Sequence, residues 1–239
     1  MCIRDSRYSP LPARQFIIFP YLANTGVVEL IRFQDILRDY PKTAAYLLAN
    51  RKTLEEREKG KFKDKSWYRF GRSQNLGIQG YIKLCVPRLV DRLYAAFDSD
   101  GSHYLDNVDV GGLVLKPEYQ EQGLLYLQGL LNSSVLRWFF PFVTAPFRGG
   151  WLSANRQFLS LLPIRTIDFT NPTDKASHSQ MVQLVEQMLT LHKQLPASKT
   201  GHGQPLVQRQ IDAVDRQIDR LVYELYGLSK EEIAVVEGT

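Results

Sequence analysis

Two apolar ladders near the C-terminus constrain the fold of this chain more than any other feature. Met181, Leu184, Met188, Leu191 and Leu195 step by 3, 4, 3 and 4 residues, and Ile211, Val214, Ile218, Leu221 and Leu225 repeat those steps. This spacing puts each set on one stripe of a helix, the seam through which coiled-coil helices pack. Between the ladders, residues 196–205 begin and end in proline, contain Gly201 and Gly203, and lack large apolar side chains. The pattern predicts an antiparallel helical hairpin with arms of about 20 residues. Ser229, followed three residues later by Glu232, forms a capping box that starts one more short helix through Val236.

The rest of the chain changes period repeatedly. Gln15–Phe19 and Val27–Ile31 are β-prone runs separated by a turn at Asn24-Thr25-Gly26. From Gln34 to Lys59 the pattern is helical, with Pro41 suited to the first turn of a second helix and Ala45, Leu48 and Ala49 as its apolar stripe. Short aromatic and β-branched runs between Ser66 and Leu115, broken by glycines and Pro87, predict a sheet built from hairpins. Gly123 to Phe142 reads as one long buried helix, and Leu159 to Ile167, interrupted by Pro163, as an edge strand. The expected class is α+β: a small twisted mixed sheet with packed helices, followed by the C-terminal hairpin. Three segments follow, at residues 1–6, 7–170 and 171–239. Met1–Ser6 resembles a translated sequencing-adapter remnant, and native sequence is expected to extend further toward the N-terminus.

With 239 residues, 44% hydrophobic and 23% charged, the chain can bury roughly 70% of its unfolded surface without disulfides. Its two cysteines, Cys2 and Cys85, imply no disulfide framework and a cytoplasmic setting. No apolar run reaches the roughly 20 residues that cross a membrane. The net charge of +5 is uneven: residues 51–92 hold twelve Lys and Arg against five Asp and Glu. A local basic field of this kind attracts polyanions.

Within that basic stretch lies Trp67-Tyr-Arg-Phe-Gly-Arg-Ser-Gln-Asn75, and Lys83 follows. Arginine can fork onto phosphate or guanine, glutamine and asparagine can pair with adenine, and serine can reach either. The candidate DNA contacts are Trp67, Arg69, Arg72, Ser73, Gln74, Asn75 and Lys83, joined by Arg148 and Asn155 beside the Gly149-Gly150 loop. Trp67 and Phe70 fit a core better than a stacking platform, and Lys83 is expected to face outward toward a phosphate. Catalytic and metal sites are not expected. Asp98, Asp100, His103, Asp106 and Asp109 cluster, but Asp100-Gly101 is a turn signal and the liganding pattern of a calcium loop is missing. Phosphate loops, nucleophile elbows and paired histidines at metal spacing are also missing.

Several words occur in one order: Ile18-Phe-Pro-Tyr21, Tyr40-Pro41, Tyr46-Leu47, Leu54-Glu-Glu-Arg57, Trp67 to Asn75, Lys83 and Pro87. Tyr126, Leu130-Leu-Asn-Ser133, Gly149-Gly150, Leu162-Pro-Ile164, Ile218 to Tyr226-Gly227 and Glu231-Glu-Ile233 continue it. From about Phe16 to Glu237 the chain resembles the C-terminal target-recognition region of adenine-specific DNA methyltransferases of restriction–modification systems, the family with the TaqI-like specificity domain. The resemblance implies a reader of double-stranded DNA. Methyl transfer from S-adenosylmethionine would belong to an N-terminal methyltransferase domain, in the same or a separate chain. The family's Asn-Pro-Pro-aromatic motif and glycine-rich cofactor loop do not occur in this sequence, so no cofactor is expected on it. The alternatives are a specificity subunit, a protein-interaction adaptor that works through the C-terminal hairpin, and a metal-dependent nuclease acting through Asp98 or Asp109.

Overall fold

The computed structural model describes residues 7–9, 16–24, 27–105, 111–195 and 203–238. The segment Met1–Ser6, the tip of the first hairpin at Thr25-Gly26, Asp106, Asp109 and most of the interhelical loop lie outside these residues. The chain divides into two compact units, Ala13–Gly80 and Met1–Pro12 with Tyr81–Thr239. The smaller unit is thus inserted in sequence within the larger.

The smaller unit opens with β1 (Tyr21–Asn24) and β2 (Val27–Leu30), paired antiparallel with Tyr21 opposite Leu30 and Asn24 opposite Val27. Only two residues separate the paired ends. The partner of Val27–Leu30 is Tyr21–Asn24, and Phe16–Phe19, the described part of the first β-prone run, forms no strand. Helices α1 (Phe33–Asp39), α2 (Pro41–Ala49) and α3 (Arg51–Glu55) follow, then the single turn α4 (Arg57–Gly60), which is irregular because Glu58 and Lys59 are left-handed. Pro41 occupies the first turn of α2, but the buried stripe is Ala44 and Leu47, whereas Ala45, Leu48 and Ala49 are exposed. The core decides this: Ile36, Ala44 and Leu47 close around Trp67 and Tyr68. A helical period by itself leaves the buried face free.

The larger unit holds β3 (Lys83–Cys85), β4 (Leu89–Val90), β5 (Ala96–Asp98), β6 (Gly112–Leu113) and β7 (Leu152–Ser153). They form a three-stranded sheet in the order β5-β3-β6 and a β4-β7 pair, antiparallel throughout. The architecture is α+β, with strand pairing spread over three small sheets. Between Gly123 and Phe142 there are two helices, α5 (Leu124–Asn132) and α6 (Ser134–Val143). Ser133 is extended and caps α6 through Leu136 N, while Ser134 N and Oγ donate to Asp219 at 2.7 and 2.6 Å. Polar competition with the helical ladder breaks the run there.

After α7 (Arg156–Leu159), the expected edge strand is irregular. Its backbone groups are taken by side chains: Tyr226 Oη donates to Pro163 O, Tyr126 Oη donates to Arg165 O, and Gln122 exchanges two bonds with Ile167. Helices α8 (Pro172–Gln194), α9 (Gly203–Tyr226) and α10 (Lys230–Glu237) complete the chain. Asn171 caps α8, and the Ser229–Glu232 capping box opens α10. Arg165 joins the two ends of the hairpin, since its guanidinium holds Asp174 near the start of α8 and its N–H meets Tyr226 at the end of α9. The pair is antiparallel. Both seams are buried: Met181 and Met188 are fully enclosed and Ile218 is 1% exposed. α8 also packs on α5, where a Cβ at Gly129 would collide with Met181 Sδ. The apolar stripes are buried within the unit. No helix among the described residues is long and apolar enough to cross a membrane.

A short strap, Arg7–Ser9, locks onto this core. Tyr8 is buried, Arg7 forks onto Asp215 at 3.0 Å twice, and Ser9 Oγ meets His192 Nδ1 at 3.1 Å. Gln128 and Asn132, one turn apart on α5, each donate to Arg7 O and Ala95 O. Tyr8→Ala should therefore cost about 3 kcal/mol or more in urea unfolding, as for other large core truncations. Burial, reinforced by the nearby Arg7 charge, lowers the His192 pKa below its ordinary 6.5. The unfolded chain then binds the proton more readily. Stability present above pH 6.5 is lost as pH falls through the folded value, and the loss in Tm should shrink in His192→Gln.

Candidate functional site

The Trp67–Asn75 block divides into an anchor and a tip. Trp67 and Tyr68 are core residues, 3% and 6% exposed. Tyr68 Oη donates to Ile31 O at 2.6 Å, and Phe70 N donates to Tyr21 Oη at 2.7 Å. Phe19, Tyr21 and Phe70 form an aromatic triangle with centroids 5.2–5.8 Å apart. Arg57 binds the turn from the other side. Its Nε donates to Leu54 O, and its Nη2 donates to both Trp67 O and Arg69 O at 3.0 and 2.9 Å. The guanidinium also lies 4.3 Å from the centroid of Phe62, with Arg69 at 4.7 Å from the same ring.

Arg69 is engaged rather than displayed. It donates to Asp64 Oδ1 at 2.6 Å and to Ser66 O at 3.1 Å. That bond, together with the Ser66 N–H, holds the Asp64 carboxyl below the usual carboxylate range. Beyond Phe70 the chain turns outward at Gly71, where a Cβ would crowd Glu58 Oε1 at 3.1 Å. Arg72, Ser73, Gln74 and Asn75 are exposed, and their side chains make no hydrogen bond or ion pair among the described residues. Asn75 has φ 60°, a left-handed conformation that asparagine tolerates. Lys59, Lys63 and Lys65 lie exposed on the preceding loop, likewise without a carboxylate among the described residues. The unit Ala13–Gly80 carries thirteen Lys and Arg against seven Asp and Glu, a net +6, so the remainder of the chain is −1.

The three candidates in the larger unit separate equally clearly. Lys83 does not face outward. It is 1% exposed, its ammonium lies 2.6 Å from Asp98 Oδ2, and its stem covers Gly112 in the neighbouring strand. A Cβ at Gly112 would collide with that stem, so glycine there makes room for the buried lysine. Asn155 is a helix cap: Oδ1 accepts from Gln157 N, and Nδ2 donates to Ser153 Oγ. Arg148 is exposed at the tip of a loop with no partner among the described residues, followed by Gly149 and Gly150 at φ 73° and 79°.

Asp98, Asp100 and His103 bring three possible ligand atoms within 4.8 Å of one another. Both Asp98 oxygens are already engaged, Oδ2 by Lys83 and Oδ1 by His103 Nδ1 at 3.0 Å. Asp100 Oδ1 accepts from Ser102 N across Gly101 at φ 68°. The cluster is a side-chain-closed turn over an ion pair, and a cation there would have to share the Asp98 carboxylate with the Lys83 ammonium. Burial pushes the Cys85 thiol up to about 12, so it is no nucleophile at neutral pH.

Sequence reasoning missed two residues that shape these surfaces, Arg57 and Phe147. Arg57 sits in a charged helical run with nothing to mark it as a tie between carbonyls. Phe147, 55% exposed beside Arg148, had a usable signal, an aromatic immediately before Arg-Gly-Gly.

No protein-family model matches the chain. It is 25% identical over 238 residues to the type II restriction enzyme and methyltransferase RM.Eco57I of Escherichia coli, covering 96% of this chain and 24% of that protein. It is 24% identical over 225 residues to the type II methyltransferase M.PaeR7I of Pseudomonas aeruginosa, covering 94% of this chain and 32% of that protein. The chain is similar to restriction–modification methyltransferases. It spans a quarter to a third of the length of these relatives. Every strand pair among the described residues is antiparallel. No step of methyl transfer is assigned to them.

The ion pair gives a sharp test of the Lys83 assignment. Lys83→Met, which strands the Asp98 carboxylate, should destabilise the fold by about 3–5 kcal/mol in urea unfolding. Asp98→Leu added to it should recover much of that loss. A lysine serving a phosphate would instead leave the unfolding midpoint unchanged.

Proposed function

We propose that this chain is a sequence-specific reader of double-stranded DNA, working with a methyltransferase domain in the same or a separate chain. The observation that carries the reading is the tip Arg72-Ser73-Gln74-Asn75, four exposed polar side chains beyond a firmly tied anchor and without partners among the described residues. Polar loop residues ordinarily satisfy their own backbone. Here Arg69 and Asn155 do so, and the tip does not. Arginine, glutamine and asparagine are the side chains that pair bidentately with base edges. The exposed lysines Lys59, Lys63 and Lys65 supply the sequence-independent attraction to phosphate that brings such a tip onto a duplex. The likeness to restriction–modification methyltransferases supports a role in DNA modification. S-adenosylmethionine belongs, in this reading, to the methyltransferase partner.

The experiment is selection of duplexes from a randomised pool by the purified chain, followed by fluorescence anisotropy of the recovered sequence across a salt series. Affinity should fall steeply with salt, with a log–log slope of about −0.9 for each phosphate neutralised. Arg72→Ala or Gln74→Ala should reduce preference for the recovered sequence by about 1–3 kcal/mol. Lys63→Ala should weaken all duplexes alike and lower the slope by about 1. Failure to enrich any duplex, or binding indifferent to salt, overturns the reading.

A further inference from the structure

The larger unit carries a second projecting element, residues 144–153. Its two limbs are laced together by backbone and side-chain bonds. Thr144 Oγ1 donates to Ser153 O at 2.6 Å, Ser153 N donates to Ala145 O at 3.1 Å, Pro146 bridges Leu152, and Phe147 N donates to Trp151 O at 2.6 Å. The inner limb is also pinned from behind, since β7 pairs with β4 and Ala154 N donates to Arg88 O at 2.8 Å. The result is a narrow antiparallel arm that ends in Phe147-Arg148-Gly149-Gly150. All four residues at its end are exposed.

We infer that this arm inserts into a groove of duplex DNA, with the Phe147 ring as an apolar wedge at a base step and Arg148 on the adjacent phosphate or base edge. The inference rests on the DNA-recognition reading and adds to it a site in a different unit and a mode of binding. Three observations converge. An apolar ring stands 55% exposed at a position whose backbone is fixed by its own N–H, so little conformational freedom is lost when it inserts. Its neighbour is the exposed Arg148 guanidinium, which has no partner among the described residues. The next two residues have φ 73° and 79° and no side chain, and a Cβ at Gly150 would meet nothing within 4 Å. Glycine there serves the turn and leaves the backbone open to close approach. Two-stranded ribbons fit a DNA groove, and phenylalanine inserted between base pairs unstacks the step and kinks the duplex by 20–90°. The arm's own end, Phe147 to Gly150, offers a single ring beside a cation and two glycines, a narrower apolar field than a protein-docking patch calls for.

The test uses the full chain and the duplex recovered by selection, labelled at both ends for energy transfer. Wild-type binding should shorten the end-to-end distance. Phe147→Ala should abolish that change and weaken binding about tenfold. Phe147→Leu, which keeps an apolar wedge, should retain most of the kink, and Arg148→Ala should lower the salt slope by about 1 while the kink persists. Since both side chains are exposed, all three variants should keep the wild-type Tm. Wild-type binding with a kink that survives Phe147→Ala, or with no kink at all, overturns the wedge and leaves DNA recognition standing. If no duplex is enriched, both readings fall.

Discussion

The Arg57 guanidinium is the tie on which the candidate site depends. It reaches Leu54 O near the end of one helix and, ten and twelve residues beyond Arg57 itself, Trp67 O and Arg69 O on the turn that carries the aromatic block. Its charge is met by carbonyl dipoles and by the Phe62 ring beneath it. Arginine suits the task because its fork offers several donors in fixed directions, which a lysine ammonium does not. Trp67 and Arg69 flank Tyr68, whose hydroxyl is bound to Ile31 O, and the next residue, Phe70, gives its N–H to Tyr21. Four consecutive residues are therefore held from three sides. Whatever follows them leaves the core from a fixed point.

Backbone strain marks the edges of the same lobe. Among the described residues, Glu58, Lys59 and Asn75 alone are non-glycine residues with left-handed φ. Each such conformation costs of order 1 kcal/mol or more and persists only where the surroundings impose it. Glu58 and Lys59 lie beside the Arg57 tie, and Asn75 ends the exposed tip. The Glu58 carboxylate lies close enough to Gly71 that a Cβ there would come within 3.1 Å of its Oε1.

The helical seams were legible because their information is local: a 3-4 repeat names the buried stripe without reference to any partner, and a long pair of helices buries it against itself. The sheet was not. Its strands are two to four residues long, and the backbone groups of residues 163–167 are satisfied by Gln122, Tyr126 and Tyr226, side chains remote in sequence. The same limit runs through the candidate site. Residue types in the Trp67–Asn75 block were readable as a mixture of anchor and contact chemistry. That Arg69 is tied to Asp64, that Asn155 caps a helix and that Lys83 is buried on Asp98 are facts of tertiary pairing. For Lys83 an apolar run around a single charge suggested an outward side chain, yet β3 lies between β5 and β6 and is buried along its length. A central strand can hold a lysine only with a carboxylate waiting, and Asp98 sits directly across in the register.

The two units use charge in different ways, and the difference bears on recognition. In the larger unit Arg7, Lys83 and Arg165 act as internal ties on Asp215, Asp98 and Asp174. In the smaller unit Arg69 is likewise tied to Asp64, but the net +6 includes the exposed Lys59, Lys63 and Lys65, which have no carboxylate partner among the described residues. A diffuse positive field attracts any polyanion and cannot by itself distinguish one sequence from another. Discrimination needs a few side chains presented with little freedom left to lose, because ordering them on contact would consume the energy difference between right and wrong partners. The tied turn below Arg72 meets that condition by aromatic packing and the Arg57 fork, and the arm that ends in Phe147 meets it by backbone lacing. Both place unpaired cationic side chains at the end of a support that is already rigid, so the physical requirement for selectivity is met before any ligand arrives.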